Sequence, residues 1–414
     1  MTNGSLPATV EQLSVRTVPF EGPEDLADLA GAHAYVWLRG GDGLVGWGTA
    51  ARIEIDSGHE RFEKAAQALA ELFEGFEIED DVGVPGTGPV AFGSFTFDED
   101  SPRSVLVIPQ VVIGRRDGHG WLTTFGPEPP VVSPHTNASS NDRVRYAGST
   151  VSEIAWLEAV SSALDEIRDR RLGKVVLARD VLVWSKTPLD VGLLVARLSQ
   201  AFPECFTFAV EGLVGATPEL LIRRSGDAVE SVVLAGSARR GATADEDAHI
   251  GGALKRSEKD LREHDFAVVS VSAILRPLCE ELAVEPSPSL LRLKNVQHLS
   301  TRMHGRARPP LTALQLAGAL HPTAAVCGTP TADALAAIRA LEGLDRGRYA
   351  GPVGWVDSRG DGEWAIALRC AEIEPKRARL FAGAGIIEGS LPENELEETR
   401  LKLRAMQTAL DPTS

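Results

Sequence analysis

VGWVDSRGDGEWAIALRC, residues 353–370, reads as two short apolar strands around a Gly-Asp-Gly turn at 360–362, the signature of an antiparallel hairpin. Beyond it, RARLFAGAGI is a further strand and ELEETRLKLRAMQTAL the last helix. Upstream, CFTFAVEG and ELLIRRSGDAVESVVLAG are strands joined by glycine turns, and a long helix covers 257–276. A helical pattern at 150–171 leads into RLGKVVLARD at 171–180, whose Val175-Val176-Leu177 run is a buried strand. Residues 1–125 mix short strands, AHAYVWL and GLVGWGTA among them, with one amphipathic helix near 59–76. GPEPPVVSPHTNASSNDR (126–143) is rich in Pro, Ser and Asn and reads as a loop or linker. Hairpin strands with helices in separate runs argue for an α+β fold with antiparallel sheets, not a doubly wound parallel sheet. No internal repeat is present.

The 414 residues are 43% hydrophobic and 24% charged, a globular composition able to bury a large core. No apolar stretch is long enough for a membrane helix, and MTNGSLPATVEQLSV lacks the basic and apolar regions of a secretory signal. A cytoplasmic location is expected. The four cysteines (Cys205, Cys279, Cys327, Cys370) form no CxxC pair, so buried reduced thiols are expected and neither a zinc site nor a disulfide framework. A net charge of −16 argues against a nucleic-acid partner, which needs a basic footprint. A small anionic substrate stays compatible if cations gather locally or a metal offsets the acids.

Lys174 opens the 174–177 strand, and lysine is a poor strand former that is rarely buried. On this stretch alone the simpler reading is an edge lysine that keeps its ammonium in water. In SEKDLREHDFAVVSVSAIL (257–275), Asp260 and Glu263 lie three apart on one helix face; Glu395 and Glu398 do the same in the last helix, with Lys402 four residues further. Each set alone is an ordinary solvated face. Together they offer what Mg²⁺ takes: one or two carboxylates plus substrate oxygens. FAGAGIIEGS (381–390) reads as a glycine-rich turn leaving a strand, whose N–H groups can cradle a carboxylate. It lacks the dinucleotide pattern, and no P-loop, HExxH or GxSxG is present. His298 and His321 read as core or loop histidines.

Ten blocks in order resemble the chorismate-utilising family, and within it the isochorismate synthases: GKVVLAR (173–179), GATPELLIR (215–223), LAGSARRG (234–241), SEKDLREHDF (257–266), NVQHLSTRMHG (295–305), LHPTAAVCGTP (320–330), YAGPVGW (349–355), EWAIALRC (363–370), FAGAGI (381–386) and ELEETRLKL (395–403). They cover most of the chain from about 145 to 410, while the first 145 residues carry little of the likeness. The resemblance implies a large single body whose antiparallel sheets sandwich the active site, with residues 1–145 an N-terminal portion of that body and 146–414 the chorismate-binding region. It implies Mg²⁺, chorismate as ligand, and a monomer.

Carried over by motif position, Glu263 and Glu398 look like the metal carboxylates, with Asp260 and Glu395 beside them. Arg369 and Lys402 resemble the cations that hold substrate carboxylates, helped by backbone of Gly383 and Gly385, with His321 and Tyr349 lining the pocket. Lys174 resembles the general base that activates water and Glu219 the general acid. Ala235 stands where aminodeoxychorismate synthases often carry a nucleophilic lysine, and anthranilate synthases lack a lysine at position 174. The combination here favours water as nucleophile. The expected reaction is chorismate to isochorismate, for menaquinone or a siderophore. A salicylate synthase, which goes on to eliminate pyruvate, shares the same motifs and stays open, as does a chorismate-binding subunit without activity.

Overall fold

The computed structural model describes residues 14–31, 33–126, 144–308 and 311–411. The proposed 126–143 linker lies outside the described residues apart from Gly126 and carries no structural account, as does most of the N-terminal stretch examined for a signal.

Among the described residues the chain builds two large sheets of thirteen and ten strands, counting the short strands 328–329 beside 174–184 in the first and 289–292 beside 296–307 in the second. The first runs, edge to edge, through 145–146, 174–184, 377–387, 370–374, 213–217, 206–210, 35–39, 42–47, 111–116, 119–125, 14–19 and 77–80. The second runs through 279–284, 296–307, 228–239, 220–225, 362–366, 352–357, 90–94, 104–108 and 51–55. Pairing is antiparallel throughout, except that Ser14–Pro19 lies parallel to Glu77–Asp80. The α+β expectation holds. Strands from the first 125 residues sit inside both sheets: Tyr35–Arg39 pairs with Phe206–Val210, and Val90–Ser94 with Pro352–Asp357.

The hairpin at 353–370 forms, but its bend comes two residues earlier than its glycines suggest. Val356 pairs with Gly362, which is already strand, and the bend is Ser358-Arg359-Gly360, with Gly360 at φ +80°. Asp357 closes it by accepting from the Arg359 and Asp361 amides through its carboxylate, a turn use typical of Asp. Side chains that fill both sheets knit them together. Trp37 stacks on Phe206 at 5.1 Å and donates from Nε1 to Glu363 of the second sheet at 2.7 Å.

Two helices matter for the site. The long helix, Glu258–Leu278, is capped by Ser257, which accepts from the Asp260 amide, and it carries Glu258 and Asp260 in its first turn, where the helix dipole favours acids. Its buried stripe His264, Ala267, Val271 and Leu275 keeps helical spacing and packs on the Ala228–Arg239 strand. The last helix, Pro392–Leu410, starts with proline, whose missing N–H costs nothing there, and packs on the Arg377–Ile387 strand. Among the described residues no helix is long and apolar enough to cross a membrane.

Candidate active site

The chain changes sheet twice at the same place. Between Leu213–Thr217 and Leu220–Ser225 it passes through Pro218-Glu219, and between Gly362–Ile366 and Cys370–Glu374 through Ala367-Leu368-Arg369. The two crossings are bonded to each other: the Ile366 amide donates to the Glu219 carbonyl at 3.1 Å, and the Ala216 amide to the Arg369 carbonyl at 3.3 Å. Arg369 pays for the bend with a left-handed backbone, φ +49°, an uncommon state for a residue with a side chain and one that clusters at functional sites. Glu219 and Arg369 therefore meet at a narrow cavity of about 60 Å³, lined also by Ala235, Glu263, His298, Tyr349, Gly383, Gly385, Glu398 and Lys402. A wider cleft of about 720 Å³ lies elsewhere, between residues 19–26 and 113–121, and gathers none of these groups.

Lys174 is the first residue of its strand and is fully buried, so it does not reach water as an edge lysine would. Its Nζ lies 3.1 Å from Glu263 Oε1, within ion-pair reach, and makes no hydrogen bond among the described residues. A buried amine with three unused donors is costly unless something else completes it. Glu263 is held in turn by the next residue: His264 donates from Nδ1 to the Ala235 carbonyl at 3.1 Å and accepts at Nε2 from Thr301 Oγ1 at 2.7 Å. Ala235 lies at a β-bulge, where Gly236 at φ +76° interrupts the register between Ala235 and Ser237 and opens the cavity wall.

Glu219 is the group most changed by its surroundings. Burial pushes its carboxyl up to about 8, against the opposing charges of Lys174, Lys402 and Arg369. It is an acid at neutral pH, poised to donate a proton. Arg369 is buried with no carboxylate within ion-pair distance among the described residues; its Nη2 donates to His298 Nε2 at 3.2 Å. That bond places the remaining imidazole proton on Nδ1, which faces Ser237 Oγ at 3.0 Å. Burial, then the charge of Arg369, holds His298 well below its usual range, so it stays neutral. A neutral acceptor leaves the guanidinium's charge uncompensated and free to bind an anion.

Gly383 and Gly385 do not form a turn. They lie inside the Arg377–Ile387 strand, opposite Ala178 and Val176. The Ala178 amide donates to Glu342 and the Val176 amide to the Cys327 carbonyl, so neither bonds to its glycine partner. The glycine amides therefore point away from the lysine strand, on the side where the Gly383 carbonyl accepts from Lys402 Nζ at 2.8 Å. The glycines serve close approach. A Cβ on Gly385 would stand 2.1 Å from Glu263 Oε1 and 3.0 Å from Lys174 Cε. Gly385→Ala is expected to displace Glu263 and cut turnover by at least tenfold while the strand and its thermal stability change little, measured by steady-state kinetics alongside a melting curve.

The two helices bring the carboxylates together. Lys402 Nζ pairs with Glu398 Oε1 at 2.6 Å, and Lys259 of the long helix reaches Glu395 of the last helix at 2.7 Å. Burial raises Asp260, and Glu263 and Glu398 add to the shift; burial and then Glu398 raise Glu395. Burial pushes Glu398 upward most, but Lys402, Lys259 and Arg369 together outweigh it and hold the carboxyl below its ordinary value. Among the described residues no three His, Cys, Asp or Glu side chains gather as a ready-made metal cage. Glu263 and Glu398 are instead two hard oxygen donors on the cavity wall, with like charges behind them, which suits an ion that completes its shell with water and substrate oxygens.

His321 is not in the cavity. It caps the Ala313–Leu320 helix, its Nε2 donates to the Phe97 carbonyl at 2.9 Å, and it packs against Phe62 and Phe97. Burial pushes its pKa down to about 3, so it anchors a loop as a neutral ring. The cavity histidine is His298, which local sequence did not distinguish from a core residue, along with Ser237, Leu234, Val176 and Val326. Tyr349 does line the cavity, stacked on Phe381 at 5.1 Å.

The family model described as chorismate binding enzyme matches residues 19–126 and 130–411. Isochorismate synthase DhbC of Bacillus subtilis is 44% identical over 62% of this chain and 67% of its own length. Isochorismate synthase MenF of the same organism is 34% identical over 86% of this chain and 80% of its own. The solved structure of MenF, the menaquinone-specific isochorismate synthase from Escherichia coli, superposes with a TM-score of 0.79 over 96% of this chain and 95% of that one, at 24% identity.

Proposed function

The chain belongs to the chorismate-binding enzyme family, and on that premise we propose that it is an isochorismate synthase, an isomerase that converts chorismate to isochorismate. One observation carries the reading. The buried Lys174 amine has no hydrogen-bond partner, and it is the strongest charge acting on Glu219, a carboxyl kept protonated by burial. An acid thus stands on the cavity wall, with a base behind that wall against Glu263.

The reaction adds water at C2 of the ring and expels the C4 hydroxyl. As general base, the free-amine form of Lys174 takes a proton from the incoming water as its oxygen bonds to C2; the ring double bonds shift, and the C4–O bond breaks as Glu219 protonates the departing oxygen. Hydroxide is a poor leaving group, so the proton from Glu219 is what makes departure possible. Arg369, held by His298, would bind one substrate carboxylate, with the Gly383 and Gly385 amides and Lys402 supporting it. Ala235 leaves no amine to compete with water. Glu263 and Glu398, with Asp260 and Glu395 behind them, would hold Mg²⁺, which supplies positive charge against these acids and a substrate carboxylate.

The four cysteines are all free and buried, which supports a reducing, cytoplasmic setting, and we take the working unit to be a monomer. The product would serve menaquinone or siderophore synthesis; one solved relative is named menaquinone-specific and one curated relative vibriobactin-specific.

Incubation of the purified protein with chorismate and Mg²⁺, without ammonia or glutamine, is expected to yield isochorismate. Salicylate with pyruvate would move the chain to the salicylate synthases, and no consumption of chorismate would overturn an enzymatic role. Glu398→Ala is expected to raise the Mg²⁺ concentration for half-maximal rate by at least tenfold. An unchanged Mg²⁺ titration would return Glu398 to the helix surface pair that its spacing first suggests.

A further inference from the structure

The lysine strand begins at a sheet edge. Lys174 and Val175 pair with Thr329 and Gly328, but beyond Val175 no strand lies on that side until Tyr146 and Arg145 pair with Val183 and Trp184. The edge is finished by side chains and a loop carbonyl. The Val176 amide donates to the Cys327 carbonyl at 2.8 Å, the Val176 carbonyl accepts from Arg346 Nη2 at 2.7 Å, and the Ala178 amide donates to Glu342 Oε2 at 2.7 Å. Glu342 and Arg346 are fully buried and paired through two bonds, Arg346 Nε to Oε1 at 2.7 Å and Nη2 to Oε2 at 2.6 Å. Arg346 also donates from Nη1 to the Val326 carbonyl at 2.9 Å and lies over the Phe97 ring at 4.1 Å.

One planar guanidinium thus ties together the strand that carries Lys174, the loop that carries the Ala325–Val326 wall of the cavity, and Phe97, whose carbonyl receives His321. Replacing a buried ion pair by apolar residues is often neutral for stability, so stability alone does not account for keeping both charges here. We propose that Glu342 and Arg346 are positioning residues for the reaction: their pair sets the Lys174 end of the strand against the cavity wall. Neither touches the cavity, and both act through Val176, Ala178 and Val326. This rests on the proposed role of Lys174.

The test compares Arg346→Lys, which keeps the charge and loses the fork, with the double variant Glu342→Gln/Arg346→Met, which removes both charges at once. Lys174→Ala is measured in parallel, and rates are normalised to folded protein by near-ultraviolet circular dichroism. The expected result is a kcat loss of about 10- to 100-fold in the fork-less variants, in line with misplacing a reacting group by about an ångström. KM for chorismate should stay within about twofold, and the melting temperature of the double variant within a few degrees. A parental kcat in either folded variant, with Lys174→Ala inactive, overturns the positioning role alone. Full activity of Lys174→Ala overturns the premise instead. If neither variant folds, the pair is a folding element and the proposal falls.

Discussion

Lys174→Ala is expected to lower turnover of chorismate by roughly 10²–10⁴-fold, the usual size of a lost proton-transfer group. Binding should survive. Arg369, the glycine-strand amides and Glu398, which pairs with Lys402, do not depend on the Lys174 amine, so Mg²⁺-dependent binding of chorismate should stay measurable by calorimetry. The variant should also fold, because the amine makes no hydrogen bond that its loss would break. What it removes is a buried group 3.1 Å from Glu263, and the Glu263 carboxylate then loses its nearest cation. A variant that keeps most of its rate would take Lys174 out of the mechanism and leave water activation to another group.

Glu219→Gln is expected to cost a similar 10²–10⁴-fold, because an amide cannot protonate the departing C4 oxygen. Its pH signature separates it from a general loss of fit. In the folded protein Glu219 titrates near 8, above its ordinary value of 4.5, so the acid form is present below about pH 8 and lost as pH rises through that value. The parent rate should therefore fall on the alkaline side with an apparent pKa near 8, and the residual rate of Glu219→Gln should lack that limb. Linkage gives a second sign. The folded state holds a proton that the unfolded chain releases between pH 4.5 and 8, so this group weakens stability as pH rises across that window. Glu219→Gln should melt at or above the parent at pH 8 while being far slower. A variant both slow and unstable at that pH would mark Glu219 as a structural residue.

The two effects have one origin in the topology. The crossing at Pro218-Glu219 carries a carboxyl into a buried place, and the crossing at Leu368-Arg369 carries a guanidinium there, hydrogen-bonded to a neutral histidine. Each group is poorly matched by the protein itself. Such mismatches are tolerated where they serve a ligand.

Much was legible beforehand. The 353–370 hairpin, the strand at 174, the two carboxylate helices and the α+β class follow from turn residues and from the 2.0 and 3.6 residue periods, which are local properties. Lys174, Glu219, Arg369, Tyr349, Lys402 and the paired glutamates were named from motif order, and the fold brings them to one cavity or, for Lys174, directly behind it. What local pattern cannot carry is direction and partner. Gly383 and Gly385 look like a turn because glycine is a turn residue, yet they are strand positions, Gly385 kept small by Glu263 and Lys174 from a helix and another strand and Gly383 approached by the Tyr349 hydroxyl. His321 and His298 are equally ambiguous in sequence; one became a loop anchor on Phe97 and the other the acceptor for Arg369. The chain by itself determined which segments are strand and helix and which chemical groups are available. Only the packing of the two sheets decided that Lys174 is buried without a hydrogen bond and that Glu219 is an acid at neutral pH, because desolvation depends on neighbours far apart in sequence, and no local pattern records them.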